Sequence, residues 1–366
     1  MRVLVLIELM VLLYPNIIMG QDSRTIELTH KAIEKREIRE IALKENDFGF
    51  LFLEQPKEAL IQQTSACKII RTKKKIYIFD FLSSKVHSYD SSGKYLYTIN
   101  RKGKGPFEYK IMRNVMMVYD ENLCFWDSMN NKLIFFDGNG KPLNEIRLEI
   151  RLDNVIYSDP WFYALGLVDQ DYCLIRMDHS GVIKNHWIIA EGANKEICLK
   201  YNSETSLFID EGNVCFATEP YDKIQVLNNN KIEDYWVIKY GKDRVSNESL
   251  LKNDPYLKYQ TLGQEGKVGL HSIQSFGNYF FILLTDGPKT IDVFYDKAKN
   301  QLIQPDYSLS LNNNQFKILD FCQYVDQNCA VLVEGSDLEE AFQTTNIRSK
   351  VLNDMLALAN NRIGVF

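Results

Sequence analysis

The chain has 366 residues, of which 45% are hydrophobic and 25% charged, and this composition excludes a disordered chain. The formal net charge is −5, with acidic and basic residues mixed along the sequence. The electrostatic attraction on which nucleic-acid binding depends is therefore missing, and no nucleic-acid partner is expected.

The first twenty residues predict a secretory signal peptide. Arg2 precedes an apolar run from Val3 to Leu13, and the small residue Gly20 stands before a polar segment. Glu8 inside the run leaves a buried first strand or a membrane anchor as the alternative. No later segment has the roughly 18 apolar residues that a membrane-spanning helix needs. The prediction is an exported protein in the periplasm, on the cell surface or outside the cell.

The seven cysteines do not follow the spacing of a metal site. Several of them, such as Cys124 and Cys215, lie in strand-like runs, where a thiol behaves as a small core residue. The first is Cys67, so no lipid-anchoring cysteine follows the signal peptide directly. Cys322 and Cys329 flank a predicted turn and could pair across a hairpin. The odd total leaves at least one thiol free in either case.

A repeat with a period of 47 residues begins near Lys75. A fixed period of this size is typical of repeat architectures, and here each unit consists of strands. The strands are about five residues long, rich in aromatic and β-branched types, and bounded by polar turn residues. The matched pairs are Asp80 and Asp127, Asp90 and Asp137, Gly93 and Gly140, and Lys94 and Lys141.

The turns of the repeat carry an Asp-x-x-Gly pattern, at 90–93, at 137–140 and, in a third unit, at 178–181. The pattern predicts a type I turn in which the aspartate accepts a backbone N–H two residues on and the glycine has a positive φ. The fourth unit replaces it with asparagines at 228–230, and the fifth keeps Phe-Tyr-Asp at 294–296.

These units predict an all-β fold, a six-bladed β-propeller of four-stranded antiparallel blades. Two stretches, 243–266 and 337–360, do not look like strands. Removing them leaves about six units of repeat length, which favours six blades over five or seven. The predicted organisation is a signal peptide at 1–20, an N-terminal extension at 21–36 and the propeller at 37–366, with insertions at 243–266 and 337–360.

Closure of the ring is predicted at the chain ends. Apolar residues recur near helical spacing within 337–360, and the chain then ends in a short strand at 363–366. A propeller must tie its last blade to its first or leave sheet edges exposed. The run 37–43, together with 50–53, is expected to join the last strand and complete blade six.

The run from Ile99 to Tyr109 contains a Gly-x-Gly-Pro-x-Glu-Tyr pattern. It resembles a signature of secreted bacterial six-bladed β-propellers of unknown function, often lipoproteins, with an architecture like that of NHL and TolB propellers. The resemblance covers about residues 50–145 strongly. This chain differs in having Phe107 where a small residue is usual and in lacking the lipidated cysteine, so the lipid anchor of the family is not expected here. The family has no established catalytic set, so the resemblance implies no residue roles.

The same loop can be explained by its own residues, since it must cross from the outer strand of one blade to the inner strand of the next. Gly103 and Gly105 permit the bend, Pro106 stiffens it, and Glu108 can accept backbone N–H bonds. A structural role is favoured over a ligand-binding one. The loop lacks the ending of a phosphate-binding loop.

Sequence motifs of catalysis are missing. The histidines share no metal-ligand spacing, and neither a nucleophile elbow nor an H-E-x-x-H helix occurs. His271 lies on a predicted inner strand and could line the channel, and aromatic rings beside acids can stack on sugars or peptides, although packing between blades is the simpler explanation. The candidate ligand-binding residues are Arg101, Glu108, Tyr109, Asn114, Asp159, Trp161 and His271.

Two function classes remain open. The first is a monomeric, non-catalytic binding or scaffold propeller without a cofactor, which recognises a peptide, a glycan or a protein partner. The alternative is an enzyme with its site in the funnel, either a carbohydrate-active enzyme or a metal-dependent hydrolase of the lactone type. The hydrolase needs Ca²⁺ held by oxygens from several blades, for which Glu108, Asn114 and Asp159 are the candidates. Convergence of three such oxygens in the funnel would discriminate between the two classes.

Overall fold

A computed structural model describes the fold. The described residues are 4–9, 24–43, 48–61, 67–201, 205–252, 254, 258–311, 314–317, 323–325 and 328–334. Within them, strands dominate and the four α-helices are short. None of these helices is long and apolar enough to cross a bilayer.

Five elements precede the repeat, and the chain then forms the first two blades. The first elements are β1 (Leu4–Leu9), β2 (Thr25–Glu27), α1 (His30–Glu34), β3 (Glu37–Leu43) and β4 (Phe48–Leu53), with a 3-10 turn at Lys57–Ala59. Blade one contains β5 (Cys67–Arg71), β6 (Lys75–Asp80), β7 (Lys85–Asp90) and β8 (Tyr95–Ile99). Blade two contains β9 (Met112–Met117), a 3-10 turn (Tyr119–Glu121), β10 (Leu123–Asp127), β11 (Lys132–Phe136) and β12 (Pro142–Arg147).

Three further blades follow, with helices between them. Blade three contains β13 (Leu152–Ser158), β14 (Trp161–Val168), β15 (Asp171–Met177) and β16 (Ile183–Ala190), followed by α2 (Gly192–Lys200). Blade four contains β17 (Ser206–Asp210), β18 (Asn213–Ala217), β19 (Lys223–Asn228) and β20 (Lys231–Lys239), followed by a 3-10 turn (Gly241–Asp243), α3 (Asn247–Lys252) and α4 (Lys258–Glu265). Blade five contains β21 (Val268–Phe276), β22 (Tyr279–Asp286), β23 (Lys289–Asp296) and β24 (Gln301–Leu311).

Each blade is an antiparallel sheet whose strands pair in chain order from the inner to the outer strand. The middle strands β10 and β11 are buried along their whole length, whereas the outer strand β16 is largely accessible. This difference arises because neighbouring blades cover both faces of a middle strand but leave the outer edge to solvent.

The core lies between the blades. Tyr77 and Phe79 of blade one pack with Phe125 of blade two in a single buried cluster. Farther round, Trp236 of blade four meets Phe280 of blade five edge to face, with ring centroids 5.5 Å apart. Fully burying one such side chain contributes about 1.5–3 kcal/mol, so the stacked blades stabilise one another.

The Asp-x-x-Gly turns have the predicted geometry. In all three, the aspartate Oδ1 accepts the N–H of the residue two positions on, at 2.8–2.9 Å. The predicted positive φ is confirmed at Gly93, Gly140 and Gly181, with values of 83°, 77° and 80°. The fourth unit reaches the same backbone region with Asn229 and Asn230 instead of glycine.

The predicted number of six blades is wrong, because five blades of four consecutive strands are present in the described structure. The remaining strands are β25 (Asn314–Lys317), β26 (Gln323–Val325) and β27 (Asn328–Glu334). β25 pairs with β24 of blade five instead of starting a new blade. A separate sheet in the order β26-β27-β1-β4 joins distant parts of the chain. The sheet takes its strands from both ends of the described chain, so it is not a unit of four consecutive strands. One of its two middle strands, β1, lies within the predicted signal peptide, the segment for which a first strand was the alternative.

The predicted partner of 37–43, the last strand at 363–366, lies outside the described residues. In the described structure β3 adds to blade five by pairing in parallel with β24, and β2 adds in parallel to β20 of blade four. Residues 24–43, which we call the N-terminal strap, therefore cover the outer edges of two blades. Covering these edges satisfies backbone groups that the repeat itself leaves unpaired.

Some predicted features fall outside the described residues. The helix within 337–360 and the strand at 363–366 are among them, as is Cys322, so its pairing with Cys329 is not described. The insertion predicted at 243–266 holds α3 and α4. The cysteines up to Cys215 are buried thiols, in agreement with their interpretation as core residues.

His30 fastens the strap between the two blades that it covers. Its Nδ1 contacts the Asp286 carboxylate, its Nε2 lies 2.9 Å from the Gly266 carbonyl oxygen, and its backbone N–H donates to Asp243 at 2.9 Å. Both ring nitrogens face acceptors, and only a protonated imidazole has two N–H donors. The Gly266 carbonyl, with Asp286 and Asp243, raises the pKa of His30 against the opposing effect of its partial burial.

We expect Gly140→Ala to destabilise the protein more than Gly212→Ala. Both glycines have φ near +80°, so each alanine carries a backbone cost of about 1–2 kcal/mol. A Cβ on Gly140 would lie 2.6 Å from the Tyr97 ring, whereas one on Gly212 meets nothing within 4 Å. The clash should add about 1–3 kcal/mol to the loss in unfolding free energy, measured by urea denaturation. Equal losses would contradict the packing between blades one and two.

The stabilisation contributed by His30 should disappear as pH rises. A group whose pKa is raised in the folded state stabilises it fully below the unfolded pKa of about 6.5, and this contribution is lost as pH rises through the folded pKa. The difference in melting temperature between the wild type and His30→Gln should therefore be largest in mildly acidic buffer and shrink at alkaline pH. His186→Gln, at an exposed position on β16, is the control. A difference that is constant with pH would refute the role of the imidazolium.

Candidate functional site

The first strands of the blades line the centre of the ring. β13 lies against both β9 and β17, and β17 lies against β21. Polar side chains on these strands bond to the neighbouring blade at the level where their strands face one another. We call this set of bonds the polar belt, and its members are Lys68, Asn114, Asn154 and Ser206.

The polar belt runs from blade to blade. Lys68 Nζ donates to Asn114 Oδ1 at 2.8 Å and to the Val115 carbonyl oxygen at 2.9 Å, which joins blades one and two. Asn114 Nδ2 donates to the Val155 carbonyl oxygen of blade three at 2.9 Å. The belt continues as Asn154 Nδ2 donates to the Thr205 carbonyl oxygen at 3.0 Å and the Ile273 N–H donates to Ser206 Oγ at 3.0 Å. Strand-to-strand bonding of this kind keeps the inner strands in register.

Lys68 differs from the other belt members because it carries a charge. The side chain keeps part of its surface accessible, yet burial lowers the pKa of its ammonium to about 8. We call this partly accessible position, where Lys68 of β5 reaches Asn114 of β9, the recess. Among the described residues, no carboxylate forms an ion pair with Lys68, and its two bonded acceptors are neutral oxygens. A buried cation without a counter-ion is energetically costly, so the recess favours an anionic group beside Lys68.

The candidate residues of the Gly-Pro loop form hydrogen bonds within the loop and to the adjacent turn of blade one. Glu108 accepts the Gly105 N–H at 2.7 Å, as the loop sequence predicts, and occupies the space that a Cβ on Gly103 would need. Tyr109 is fully buried, and its hydroxyl donates to the Ser84 carbonyl oxygen at 2.8 Å. Burial raises the pKa of Tyr109 to about 12. The backbone N–H of Arg101 bonds to the same hydroxyl at 3.1 Å.

The three candidate calcium ligands do not converge. Glu108 precedes the inner strand of blade two, whereas Asp159 follows the inner strand of blade three, so they stand at opposite ends of neighbouring strands. Asp159 accepts a hydrogen bond from the Tyr157 hydroxyl at 2.6 Å, and Asn114 belongs to the polar belt. Within the part of the chain that the structure describes, no three His, Cys, Asp or Glu side chains are grouped to hold a metal.

The remaining candidates, Trp161 and His271, lie apart from Lys68 and its bonded partners. The Arg176 guanidinium lies 5.1 Å from the Trp161 ring and 5.6 Å from the Trp187 ring, and the three side chains form a partly accessible stack on blade three. Asn185 Oδ1 accepts a bond from Arg176 at 2.6 Å, which holds the stack in place. His271 lies on the inner strand of blade five, as predicted, and its Nε2 contacts the Thr285 hydroxyl.

Lys68 was missed by sequence reasoning, although one signal pointed to it. It is the only charged residue between Cys67 and Ile70 of a strand that is otherwise apolar there. The same pattern is equally typical of a lysine on the exposed face of a strand. Only the approach of Asn114 from the next blade identifies it as a recessed cation.

Stacked four-stranded blades around a polar belt define an all-β propeller. Over residues 23–361 the chain matches the model of a family described as a domain of unknown function, DUF4934, and it belongs to that family. No curated protein matches it.

Solved structures share the fold at low sequence identity. A candidate exported protein of Bacteroides fragilis is 15% identical with a TM-score of 0.57, covering 82% of this chain and 89% of that one. A DUF4221 family member from Bacteroides vulgatus is 10% identical with a TM-score of 0.46, covering 78% and 95%. Virginiamycin B lyase from Staphylococcus aureus is 14% identical with a TM-score of 0.40, covering 68% and 70%. The first of these supports the propeller fold.

Lys68 should titrate near pH 8, well below an ordinary lysine, because burial desolvates its ammonium and lowers its pKa. The measurement is the pH dependence of the lysine side-chain carbon shifts by NMR, with the Lys68 signal assigned through Lys68→Arg. Lys74, exposed at a hairpin tip, provides the reference. A midpoint for Lys68 equal to that of Lys74 would contradict its burial.

Proposed function

We propose that this protein is an exported, monomeric binding propeller that takes the carboxylate of a peptide or glycan in its central channel at Lys68. The observation that carries the proposal is the Lys68 ammonium in its recess. Among the described residues, its hydrogen-bond acceptors are both neutral oxygens. A ligand carboxylate would supply both the counter-charge and an acceptor for the remaining N–H donor. Charge-assisted bonds of this kind are roughly twice as strong as neutral ones.

Binding is favoured over catalysis by the arrangement of the other polar groups. Asn114, Asn154 and Ser206 are bonded to neighbouring blades and act as a rigid support. A rigid support fits recognition, because little ordering is then required when the ligand binds. The lactone-type hydrolase would instead require Glu108, Asn114 and Asp159 to meet, and they stand apart.

Export is supported by the signal-like pattern of residues 1–20. The similar structure from Bacteroides fragilis, a candidate exported protein, is consistent with it. In such a compartment, the ligand would be an extracellular or periplasmic acidic peptide or acidic sugar.

A thermal-shift screen of the full chain should show stabilisation by acidic oligosaccharides or acidic peptides and not by their neutral counterparts. A ligand at about 100 times its Kd adds about 2.7 kcal/mol of stability, which is readily visible. The shift should be lost in Lys68→Met and should weaken as pH rises through about 8, because Lys68 then loses its charge.

Lys74→Met, which removes an exposed lysine, is the matched control and should behave as the wild type. Lys68→Met leaves Asn114 Oδ1 and the Val115 carbonyl oxygen without their donor, so it should lower the melting temperature without ligand, and the ligand-induced shift is measured from that lower value. Equal stabilisation of Lys68→Met by acidic ligands would refute the site. Stabilisation by Ca²⁺ alone, independent of Lys68, would favour the hydrolase instead.

A further inference from the structure

Four exposed apolar side chains lie in the loops that connect strands in blades one and two. Phe81 and Leu82 are in the turn between β6 and β7, Met129 is in the turn between β10 and β11, and Ile111 immediately precedes β9. Their exposed fractions are 41%, 52%, 59% and 42% in that order. We call these four side chains the apolar rim. Single exposed apolar residues are common, so their significance depends on whether they form one surface.

Hydrogen bonds join the three segments into one surface. The Tyr109 hydroxyl donates to the Ser84 carbonyl oxygen at 2.8 Å, which fixes the first turn against the loop. The Ser128 N–H donates to the Ile111 carbonyl oxygen at 3.3 Å, and Asp127 accepts the Lys110 N–H at 2.9 Å. The loop therefore bridges the turns of the two blades, and the apolar rim lies on one end of the ring.

The corresponding turn of blade three has a different chemistry. It consists of Asp169 and Gln170, both exposed and polar. The equivalent turn of blade four contains Tyr221, which is buried and whose hydroxyl donates to the His271 carbonyl oxygen at 3.2 Å. In blades three and four this position carries no exposed apolar side chain, so the repeat itself does not require one there.

The loop beside the apolar rim is basic. Residues 101–113 contain Arg101, Lys102, Lys104, Lys110 and Arg113 against the single acid Glu108. Lys102, Lys104, Lys110 and Arg113 are exposed, whereas the Glu108 carboxylate accepts the Gly105 N–H. The whole chain has a net charge of −5, so this local excess of positive charge runs against the balance of the protein.

We propose that the apolar rim and the adjoining lysines form a docking surface for an acidic protein segment that also carries apolar side chains. Apolar side chains of the segment would cover the rim, and its carboxylates would pair with Lys102, Lys104 and Lys110. The overall negative charge of the protein opposes adsorption to an anionic membrane, whereas a short segment contacts the local cations alone. The surface does not involve Lys68, so it stands independently of the channel site.

The test is a selection of random dodecapeptides displayed on phage against the full chain. Enriched peptides should combine Asp or Glu with Leu, Ile or Phe, and their synthetic forms should bind less tightly as salt is raised. Leu82→Asp with Met129→Asp should weaken binding at least about tenfold, since buried apolar anchors dominate interface energies. Lys102→Glu with Lys104→Glu should weaken it as well and reduce its salt dependence.

Matched controls lie elsewhere on the protein. Val182→Asp changes an apolar side chain of similar exposure, 51%, in a turn of blade three, and Lys73→Glu with Lys74→Glu reverses two exposed charges at the tip between β5 and β6. Both should bind the selected peptides as the wild type does. All variants alter exposed positions, and an unchanged melting temperature confirms that they fold.

Three outcomes would overturn the proposal. They are a failure to enrich acidic apolar peptides, equal binding of such peptides to the Leu82→Asp, Met129→Asp variant, and binding to phosphatidylglycerol vesicles in place of peptides. Lys68→Met separates this surface from the channel site, because it should leave peptide binding at the rim unchanged. Loss of peptide binding in Lys68→Met would assign the peptide to the channel instead.

Discussion

The structure depends on the face-to-face burial of four-stranded sheets against their neighbours. A single blade has two apolar faces and cannot hide either of them alone, so each blade is stable only between two others. The aromatic residues of the middle strands, such as Phe79 and Phe125, fill the wedge between successive blades and make this burial continuous. The polar groups of the inner strands must then be satisfied at the centre of the ring, and the belt from Lys68 to Ser206 does this.

The candidate functional features are the places where a side chain is not explained by packing between blades or by hydrogen bonding within the belt. Asparagine and serine complete the belt without charge, whereas Lys68 brings an ammonium into a place where burial lowers its pKa to about 8. A fold held only by packing has no need of this charge. At the end of the ring, the turns of blades one and two likewise present apolar side chains that the repeat does not require. Neither the Lys68 charge nor the exposed apolar side chains are needed to pack the blades, and both occur in blades one and two.

The repeat, the strand positions and the turn chemistry could be predicted from sequence, because each is set by local contacts. Asp90 and Gly93 determine their turn through bonds within four residues. The number of blades could not be predicted in the same way. β3 has the length of a closing strand but joins the edge of β24 in parallel, an arrangement that depends on which distant edge is free. The candidate residues Glu108 and Tyr109 lie in the connecting loop between blades one and two, but Glu108 bonds within that loop and Tyr109 bonds to Ser84 in the adjacent turn.

The sequence alone determined that this chain is a stack of similar β units, since a period of 47 residues and its Asp-x-x-Gly turns are local properties of the chain. Only the tertiary structure decided what meets at the centre and at the end of the ring. Lys68 and Asn114 are 46 residues apart along the chain, and His30 and Asp286 are 256 apart. Such pairs are brought together by the closure of blades around an axis, and no local pattern specifies which residue of one blade faces which residue of the next.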